Sequence, residues 1–243
     1  MTFSIPDSVV LITAGTSGLG LCVADKLIRA GARVVVNYAS NEERANSVVD
    51  QLRKTAAEYN PNNDNSTRCL AIKADVSKKT EIQQLVDETV AIMGKIDAIV
   101  SNAGWTKFAD FFDLDDNVDE EVWDQCYAAN VKAHLFLCHA AKKYLEDAHG
   151  AFIMTSSIAG VKPSGSSMAY AVTKAAQLHL SKSLAMVMAP SVRVNAVSPG
   201  FMETNWIAGF PQSKIEDARE KTLLKRITRV QIKAVQNGQF VVI

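Results

Sequence analysis

The chain has 243 residues, which suits one large α/β domain with a sizeable core, although two small domains would also fit this length. Its 26 basic and 26 acidic residues cancel, so charge gives no reason to expect a nucleic-acid or membrane partner. The apolar runs are shorter than the roughly 20 residues of a membrane span, and residues 1–8 lack the charged-then-apolar layout of a signal peptide. We therefore expect a cytoplasmic protein.

The cysteine and histidine spacings match neither a disulfide framework nor a metal site. We expect reduced cysteines, mostly in the core of an intracellular protein, and no bound metal. The histidines are expected to have surface or packing roles. The residues concerned are Cys22, Cys69, Cys126, Cys138, His134, His139, His149 and His179.

A strand, a glycine-rich turn, a helix and a second strand are predicted at the start of the chain. Residues 9–13 and 33–38 are β-rich apolar runs, and AGTSGLG at 14–20 leads into an amphipathic helical pattern. The unit has about 30 residues, the size of one βαβ module. Glycines at such a turn let backbone N–H groups approach a phosphate, and the helix N-terminus favours an anion. We predict a nucleotide site here; a simple tight turn is the alternative.

The same alternation continues along the chain. Apolar strands that alternate with helices predict a doubly wound parallel β-sheet flanked by helices on both faces, a single-domain Rossmann fold. Ligands bind at the carboxyl ends of such strands, so we expect Gly15, Asp75, Asn102 and Ser157 on one rim. The later elements are predicted as helices at 42–58, 78–93, 122–145 and 170–190 and strands at 69–74, 96–100, 151–154, 192–197 and 240–243.

The stretch from Ser157 to Lys174 carries side chains suited to moving a proton. Tyr170 and Lys174 are four residues apart in a helical pattern, so they lie on one face. A free phenol has a pKa of about 10, and a neighbouring ammonium lowers it towards the range in which general acids work best. Ser157 could hold a carbonyl or alcohol oxygen. The alternative is an ordinary helix pair and a turn serine.

Two further segments carry polar signals of weaker meaning. Residues 110–121 hold seven acidic side chains, which predict a solvated loop that leads into a helix rather than a metal site. Asn130 lies near the middle of the following helix, where asparagine is unfavourable. It is therefore either retained for its side chain or exposed.

Taken in order, these motifs resemble the short-chain dehydrogenases/reductases over nearly the whole chain. Each motif is modest alone, but their order and spacing are specific, including the 13-residue step from Ser157 to Tyr170. The members that the chain resembles include 3-oxoacyl-carrier-protein reductases and reductases of polyketide naphthols. The matching segments are TAGTSGLG at 13–20, Asp75-Val76, SNAG at 101–104, Asn130, Ser157, YAVTK at 170–174 and PGFMET at 199–204.

The resemblance implies an NAD(P)-dependent oxidoreductase that interconverts a ketone or aldehyde and an alcohol by hydride transfer. Tyr170 would be the general acid in reduction. Lys174 would hold the nicotinamide ribose and lower the pKa of Tyr170. Ser157 would orient the substrate oxygen, and Asn130 would position a water in a proton relay. The alternatives are a non-catalytic nucleotide-binding subunit, and a dehydratase or isomerase on the same scaffold.

The resemblance also implies a set of cofactor contacts. Ala14 replaces the family's usual glycine, at a cost if that position needs a positive φ. The contacts are Gly15, Ser17, Gly18 and Leu19 at the pyrophosphate, Asp75 and Val76 at the adenine, Asn102, Ala103 and Gly104 at the ribose, together with Tyr170 and Lys174, and Pro199, Gly200 and Thr204 at the nicotinamide.

The end of the second strand bears on the choice between NADP(H) and NAD(H). An acid there would bind the ribose 2′-hydroxyl of NAD and repel a 2′-phosphate. Asn37 stands at this position, and Asn37, Tyr38 and Ser40 could donate hydrogen bonds to a phosphate. Ser17 stands where many NADP-dependent members of the family carry a basic residue, which favours NAD(H) instead. We favour NADP(H).

The expected domain is 1–243, with the dinucleotide-binding part at 1–104 and the catalytic half at 105–200. Residues 201–228 lack a strong period and are predicted as a substrate lid. The segment 229–243 is shorter than is usual in the family, either through loss of a helix or through omitted residues.

The expected partner is a small carbonyl or alcohol substrate, of apolar or aromatic character if the aromatic side chains line the pocket rather than only close the lid. Family members commonly form tetramers through two long helices, here 122–145 and 167–189, so a homo-oligomer (tetramer or dimer) is expected. The candidate substrate residues are Trp105, Ser157, Met168, Phe201 and Trp206.

Overall fold

The computed structural model describes residues 4–59, 61, 67–204 and 212–230. Its centre is a six-stranded parallel sheet, formed by β1 (Val9–Ile12), β2 (Arg33–Tyr38), β3 (Cys69–Lys73), β4 (Ala98–Ser101), β5 (Ala151–Thr155) and β6 (Arg193–Val197). The strand order is β3-β2-β1-β4-β5-β6. The order reverses between β1 and β4, the place where open parallel sheets bind ligands.

Helices cover both faces of this sheet, as the alternation predicts. They are α1 (Gly18–Arg29), α2 (Glu42–Tyr59), α3 (Lys79–Met93), α4 (Glu120–Tyr127), α5 (Ala133–Asp147), α6 (Met168–Met188) and α7 (Gln212–Lys221). Two short strands, β7 (Met202–Glu203) and β8 (Thr228–Arg229), pair in parallel beside the main sheet. None of the described helices is long and apolar enough to cross a bilayer.

The core has two apolar layers because neighbouring strand residues point to opposite faces. Val10 and Val34 lie in a cluster with apolar side chains of α1 and α2. Their neighbours Leu11 and Val35 lie in a second cluster with side chains of α3, α5 and α6. The doubly wound α/β fold is therefore confirmed. The four cysteines are free and three of them are buried, as predicted.

The helix predicted over 122–145 is present, but it is not α-helical throughout. A π-helical turn, Ala128–Lys132, separates α4 from α5. Such a turn inserts an extra residue into the helix, and these bulges occur frequently at functional sites. Asn130 lies in this turn with none of its surface exposed, so the asparagine is retained for its side chain.

The segment 201–228 contains regular structure in its described part, namely α7 and the β7–β8 pair. The sequence of α7, QSKIEDAREK, is so polar that it shows little apolar periodicity. Trp206 and the strand predicted at 240–243 lie outside the described residues, as does 231–243 as a whole.

Candidate active site

The loops at the carboxyl ends of the strands carry the predicted site residues along one rim, as expected. Tyr170 and Lys174 reach this rim from α6. The loop residues are Gly15, Ser17, Gly18 and Leu19 after β1, Asp75 and Val76 after β3, Asn102, Ala103 and Gly104 after β4, Ser157 after β5, Pro199, Gly200 and Phe201 after β6, and Thr204 after β7.

The loop between β1 and α1 packs so closely against the first turn of α1 that position 20 of this helix admits only glycine. A methyl group at position 20 would lie 2.5 Å from the carbonyl oxygen of Ala14 and 2.9 Å from the side-chain nitrogen of Asn102. Ala14 and Gly18 are left-handed, with φ of 50° and 53°, so position 14 does require the conformation that is costly for alanine. Loops of this kind direct backbone N–H groups at a phosphate.

The N-terminus of α1 is suited to an anion. Ser17 is the extended N-cap residue, and its hydroxyl makes no capping hydrogen bond among the described residues. The first turn of α1 contains no acidic side chain, so the positive end of the helix dipole is not neutralised locally. The residues present therefore fit the pyrophosphate of a dinucleotide.

Thr13 joins the loop after β1 to the loop after β4, a role that the sequence does not predict. Its Oγ1 accepts hydrogen bonds from the backbone N–H groups of Asn102 and Ala103, at 2.8 and 2.9 Å. The side-chain nitrogen of Asn102 donates back to the Thr13 carbonyl at 3.2 Å. Thr13 ends an apolar run, so its polar function has no separate signal in the sequence.

Asn37 is held inside the protein, which counts against its predicted contact with a phosphate. The side chain is only 2% exposed. Its Nδ2 donates to the carbonyls of Ala74 and Ile72, at 2.9 and 3.4 Å, and its Oδ1 accepts from the Ala14 N–H at 3.3 Å. The amide therefore ties the loop between β1 and α1 to the end of β3. Tyr38 is half-buried and Ser40 is exposed.

The first turn of α6 fixes Tyr170, and the next turn places Lys174 on the same face. The Ser167 hydroxyl caps the helix by accepting a hydrogen bond from the Tyr170 N–H at 3.2 Å. The Nζ of Lys174 lies 5.6 Å from the centre of the Tyr170 ring. Gly104 approaches from the loop after β4, where a methyl group would lie 3.5 Å from Lys174 Nζ.

Burial dominates the acid–base properties of this pair. It lowers the pKa of Lys174 to about 7, with Cys126 acting in the opposite direction. It raises the pKa of Tyr170, and a hydrogen bond from Ser157 partly offsets this. In the protein without cofactor, the pKa of Tyr170 is therefore raised by burial and not lowered by Lys174 as the sequence predicts. The reason is that a lysine with a pKa of about 7 is largely neutral in the range where a phenol titrates.

Asn130 braces the loop after β4. Its Oδ1 accepts from the Trp105 N–H at 2.8 Å, and its Nδ2 donates to the Trp105 carbonyl at 2.9 Å and to Thr173 Oγ1 at 3.0 Å. These bonds connect the π-helical turn, the loop and α6. Both ends of the amide are therefore committed to protein groups, and the expected contact with a relay water stays a prediction.

Three buried polar side chains behind Lys174 were not predicted as site residues. Gln177 Oε1 accepts from Lys174 Nζ at 3.0 Å, Gln177 Nε2 lies 3.0 Å from His134 Nε2, and His134 Nδ1 lies 2.6 Å from Ser101 Oγ. Each is at most 2% exposed. The only available signal is helical spacing: Gln177 is three residues after Lys174 and His134 four after Asn130. We call this set the rear chain.

Acidification from pH 6.5 to about pH 5 should lower the free energy of unfolding by about 2 kcal/mol through His134 alone. Burial, with Lys174 as a smaller cause, lowers the pKa of this imidazole to about 3. The unfolded chain therefore binds a proton that the folded protein excludes, and stability falls as the pH falls. His134→Gln keeps a donor and an acceptor, but its free energy of unfolding should lack this part of the decrease between pH 6.5 and pH 5. Denaturant titrations at both pH values measure the decrease, and an equal decrease in both proteins would contradict the prediction.

The residues expected to face the substrate include parts of the loop after β4 and of the turn before α6, which hydrogen bonds hold together. Thr106 Oγ1 and Ser166 Oγ share a 2.6 Å hydrogen bond, and the Met168 N–H donates to Asn117 Oδ1 at 2.8 Å. Trp105 is half-buried. The acidic loop thus serves as a brace through Asn117, and the described residues contain no group of three or more His, Cys, Asp or Glu side chains that could hold a metal ion.

Comparison with protein families gives a match to the short chain dehydrogenase family over residues 8–214. A protein of Streptomyces violaceoruber named for a ketoacyl reductase of the granaticin polyketide synthase is 37% identical, over 91% of this chain and 84% of its own length. The hydroxynaphthalene reductase-like protein Arp2 of Metarhizium guizhouense is 32% identical, over 83% of this chain and 71% of its own.

Among solved structures, a short-chain type dehydrogenase/reductase from Mycobacterium ulcerans superimposes with a TM-score of 0.82. It is 28% identical in sequence, and the match covers 94% of this chain and 80% of that one. The sequence and structure comparisons therefore agree on one family.

Proposed function

The chain belongs to the short-chain dehydrogenase family, and on that premise we propose that it is an NADP(H)-dependent reductase of a ketone or aldehyde. The observation that carries this proposal is the placement of Tyr170 on the same face as Lys174, whose Nζ is 5.6 Å from the phenol ring. Both lie beside a glycine-lined rim that fits a dinucleotide. The bound nicotinamide would supply or accept the hydride.

Tyr170 supplies the proton in this proposal. Its hydroxyl protonates the substrate oxygen in reduction and takes the proton back in oxidation. The Ser157 hydroxyl, which already lowers the pKa of Tyr170, holds the same oxygen. Ser157 Oγ accepts from the Ala159 N–H at 3.1 Å, and its single hydrogen, which is directed at Tyr170 in the protein alone, would turn to the substrate oxygen when substrate binds.

Lys174 holds the cofactor ribose and supplies charge. An ammonium has three N–H donors, and two of them bond the Thr155 carbonyl at 2.9 Å and Gln177 Oε1 at 3.0 Å. Among the described residues this leaves one donor for a ribose hydroxyl. Asn130 supports the relay indirectly, through the π-helical turn and the Trp105 loop.

NADP(H) is the cofactor that the second strand favours. No carboxylate stands at position 37 to repel a 2′-phosphate, and the exposed Ser40 and half-buried Tyr38 are the hydroxyls nearest the end of β2. Since Asn37 is committed elsewhere, these two are the side chains we assign to the phosphate.

The substrate we propose is an apolar ketone of the polyketide type. Support comes from the relatives named for ketoacyl and hydroxynaphthalene reductases and from the aromatic Trp105 and Phe201 at the rim. Residues 201–228 act as its lid. Thr204 lies against the start of α1, 3.5 Å from where a methyl group on Gly18 would be.

A homo-oligomer formed through α4, α5 and α6 is part of the proposal. Several apolar side chains of α5 and α6 lie outside the core and are exposed in the single chain, with Met186 81% and Val187 71% exposed. Leu135 and Val172 add to this surface at 40% each. Apolar area of this kind is commonly covered by a second copy.

The test is an activity screen with β-ketoesters, quinones, naphthol-type ketones and sugars, following the oxidation of NADPH and, separately, NADH. We expect turnover with an apolar ketone and higher kcat/KM with NADPH. NADPH binding without turnover across the panel would indicate the non-catalytic alternative. Product formed without net cofactor consumption would indicate a dehydratase or isomerase.

A further inference from the structure

The rear chain behind Lys174 has no part in the proton transfer described above, yet it contacts the lysine directly. We propose that Gln177 is a positioning residue that holds the Lys174 ammonium, and that His134 and Ser101 fix the orientation of the Gln177 amide. The inference rests on the proposed function for its effect on turnover. Its effect on Lys174 itself does not depend on that function.

Hydrogen bonding determines which way the Gln177 amide faces. One end of the amide lies 3.2 Å from the Thr155 carbonyl oxygen, which can only accept, so this end is the NH2 group. The same NH2 group faces His134 Nε2 at 3.0 Å, which must then be the unprotonated nitrogen. The proton of the imidazole is therefore on Nδ1 and is donated to Ser101 Oγ at 2.6 Å.

This arrangement leaves Oε1 of Gln177 facing Lys174. The opposite amide orientation is unfavourable, because a rotated amide would set its oxygen against the Thr155 carbonyl oxygen. The neutral imidazole, which the Ser101 hydroxyl holds in place, adds to this preference. The lysine thus meets two acceptors, Thr155 O and Gln177 Oε1, at 2.9 and 3.0 Å.

Lys174 depends on these acceptors because it has no counter-ion. It is 3% exposed and forms no ion pair within the described part of the chain. The titratable groups that face it are Tyr170 on its own helix, Cys126 on α4 and His134 on α5. At neutral pH none of them is charged, since burial raises the pKa of Cys126 to about 11 and that of Tyr170, and lowers that of His134 to about 3.

Removing the Gln177 oxygen should therefore lower the pKa of Lys174. Gln177→Met has similar length and no acceptor, and we expect the Lys174 pKa to fall by about 1 to 2, the loss of one hydrogen bond to a charged group. Gln177→Glu restores an acceptor, so its Lys174 pKa should equal or exceed that of the wild type. The same-charge control is Gln84→Glu on the exposed face of α3, which should leave this pKa unchanged.

The measurement is the Cε chemical shift of Lys174 against pH in the cofactor-free full chain, with carbon-13-labelled lysine and with Lys174→Met to assign the signal. An unchanged pKa in folded Gln177→Met would overturn the proposal. If that variant does not fold, His134→Leu removes the acceptor that orients Gln177, and its Lys174 pKa should fall in the same direction. No fall there would equally overturn it.

Turnover provides a second measurement, because loss of a residue with a purely structural role would not shift the pH profile of kcat in this way. Lys174 must be protonated to bind the ribose, so activity is lost as the pH rises through its pKa. We expect the alkaline limb of the kcat profile to move to lower pH in Gln177→Met and to recover in Gln177→Glu. Failure of the proposed function would be distinct: the wild type would show no turnover, while the Lys174 pKa would still differ between the Met and Glu variants.

Discussion

Tyr170→Phe is expected to lower kcat for ketone reduction by about 10²- to 10⁴-fold, the contribution typical of a positioned general acid. The substitution removes one hydroxyl and keeps the ring that packs 5.6 Å from Lys174 Nζ and against Gly165. The site should therefore bind NADPH as before, and cofactor fluorescence titration checks this separately from turnover.

The matched control for Tyr170→Phe is Tyr127→Phe, which removes the hydroxyl of an exposed tyrosine on α4. It should turn over like the wild type. A wild-type kcat in Tyr170→Phe would show that the Tyr170 hydroxyl is not the proton donor, and another group would then have to supply the proton.

Asn37→Asp, the substitution that an NAD-specific design would choose first, is expected to lower the free energy of unfolding by about 3 to 5 kcal/mol. The new carboxylate would be buried with its oxygen against the Ala74 carbonyl, where Asn37 now donates at 2.9 Å. One N–H donor, from Ala14 at 3.3 Å, would not compensate for the charge.

The pH dependence of Asn37→Asp provides an internal check. Burial without donors raises the pKa of the new carboxyl above its unfolded value. The neutral acid is then favoured in the folded state, so the deficit relative to the wild type should shrink as the pH falls below that raised pKa. Denaturant unfolding at neutral and acidic pH measures this; a deficit independent of pH would argue against a buried charge as the cause.

Ser40→Asp is the exposed counterpart of the same charge change. We expect its stability to be unchanged, because the side chain is in solvent, and its preference for NADPH over NADH to fall through repulsion of the 2′-phosphate. Equal effects of both variants on stability would contradict the buried role of Asn37. An unchanged ratio of kcat/KM values in Ser40→Asp would contradict the assignment of this position to the phosphate.

The sequence was sufficient to predict the parallel sheet and the rim because both depend on local pattern. Apolar runs bounded by glycine and polar residues mark the strands, and the carboxyl ends of parallel strands lie together whatever the loops do. Tyr170 and Lys174 needed only helical spacing. Trp206 lies outside the described residues, so its predicted contact with substrate stays a prediction.

The parts that the sequence did not predict depend on contacts between distant residues. The bonds from Asn37 to Ala74 and from Gln177 to His134 join residues that are 37 and 43 positions apart. Asn37 was predicted as a phosphate ligand because it stands near the end of the second strand, but the carbonyls of Ile72 and Ala74 at the end of β3 bind its amide. The π-helical turn at Asn130 was likewise hidden, since its apolar residues continue the helical pattern of the flanking turns.

Electrostatics within the site were predicted only in part. Proximity of Lys174 to Tyr170 follows from spacing, whereas the extent of burial that sets both pKa values depends on how α6 packs under Gly160 and Gly104. A methyl group at position 160 would lie 2.6 Å from the Lys174 carbonyl. This close approach of backbone to backbone places the lysine in the interior, where desolvation outweighs the charge interaction.

The proposal that Tyr170 acts beside a bound nicotinamide is tested most directly by following deuterium from C4 of NADPH, labelled at both C4 positions, into the product of an accepted ketone. We predict that mass spectrometry finds one deuterium on the former carbonyl carbon with the wild type, and that Tyr170→Phe forms this labelled alcohol at least about a hundred times more slowly. Unlabelled alcohol, or labelled alcohol formed equally fast by both proteins, would contradict it.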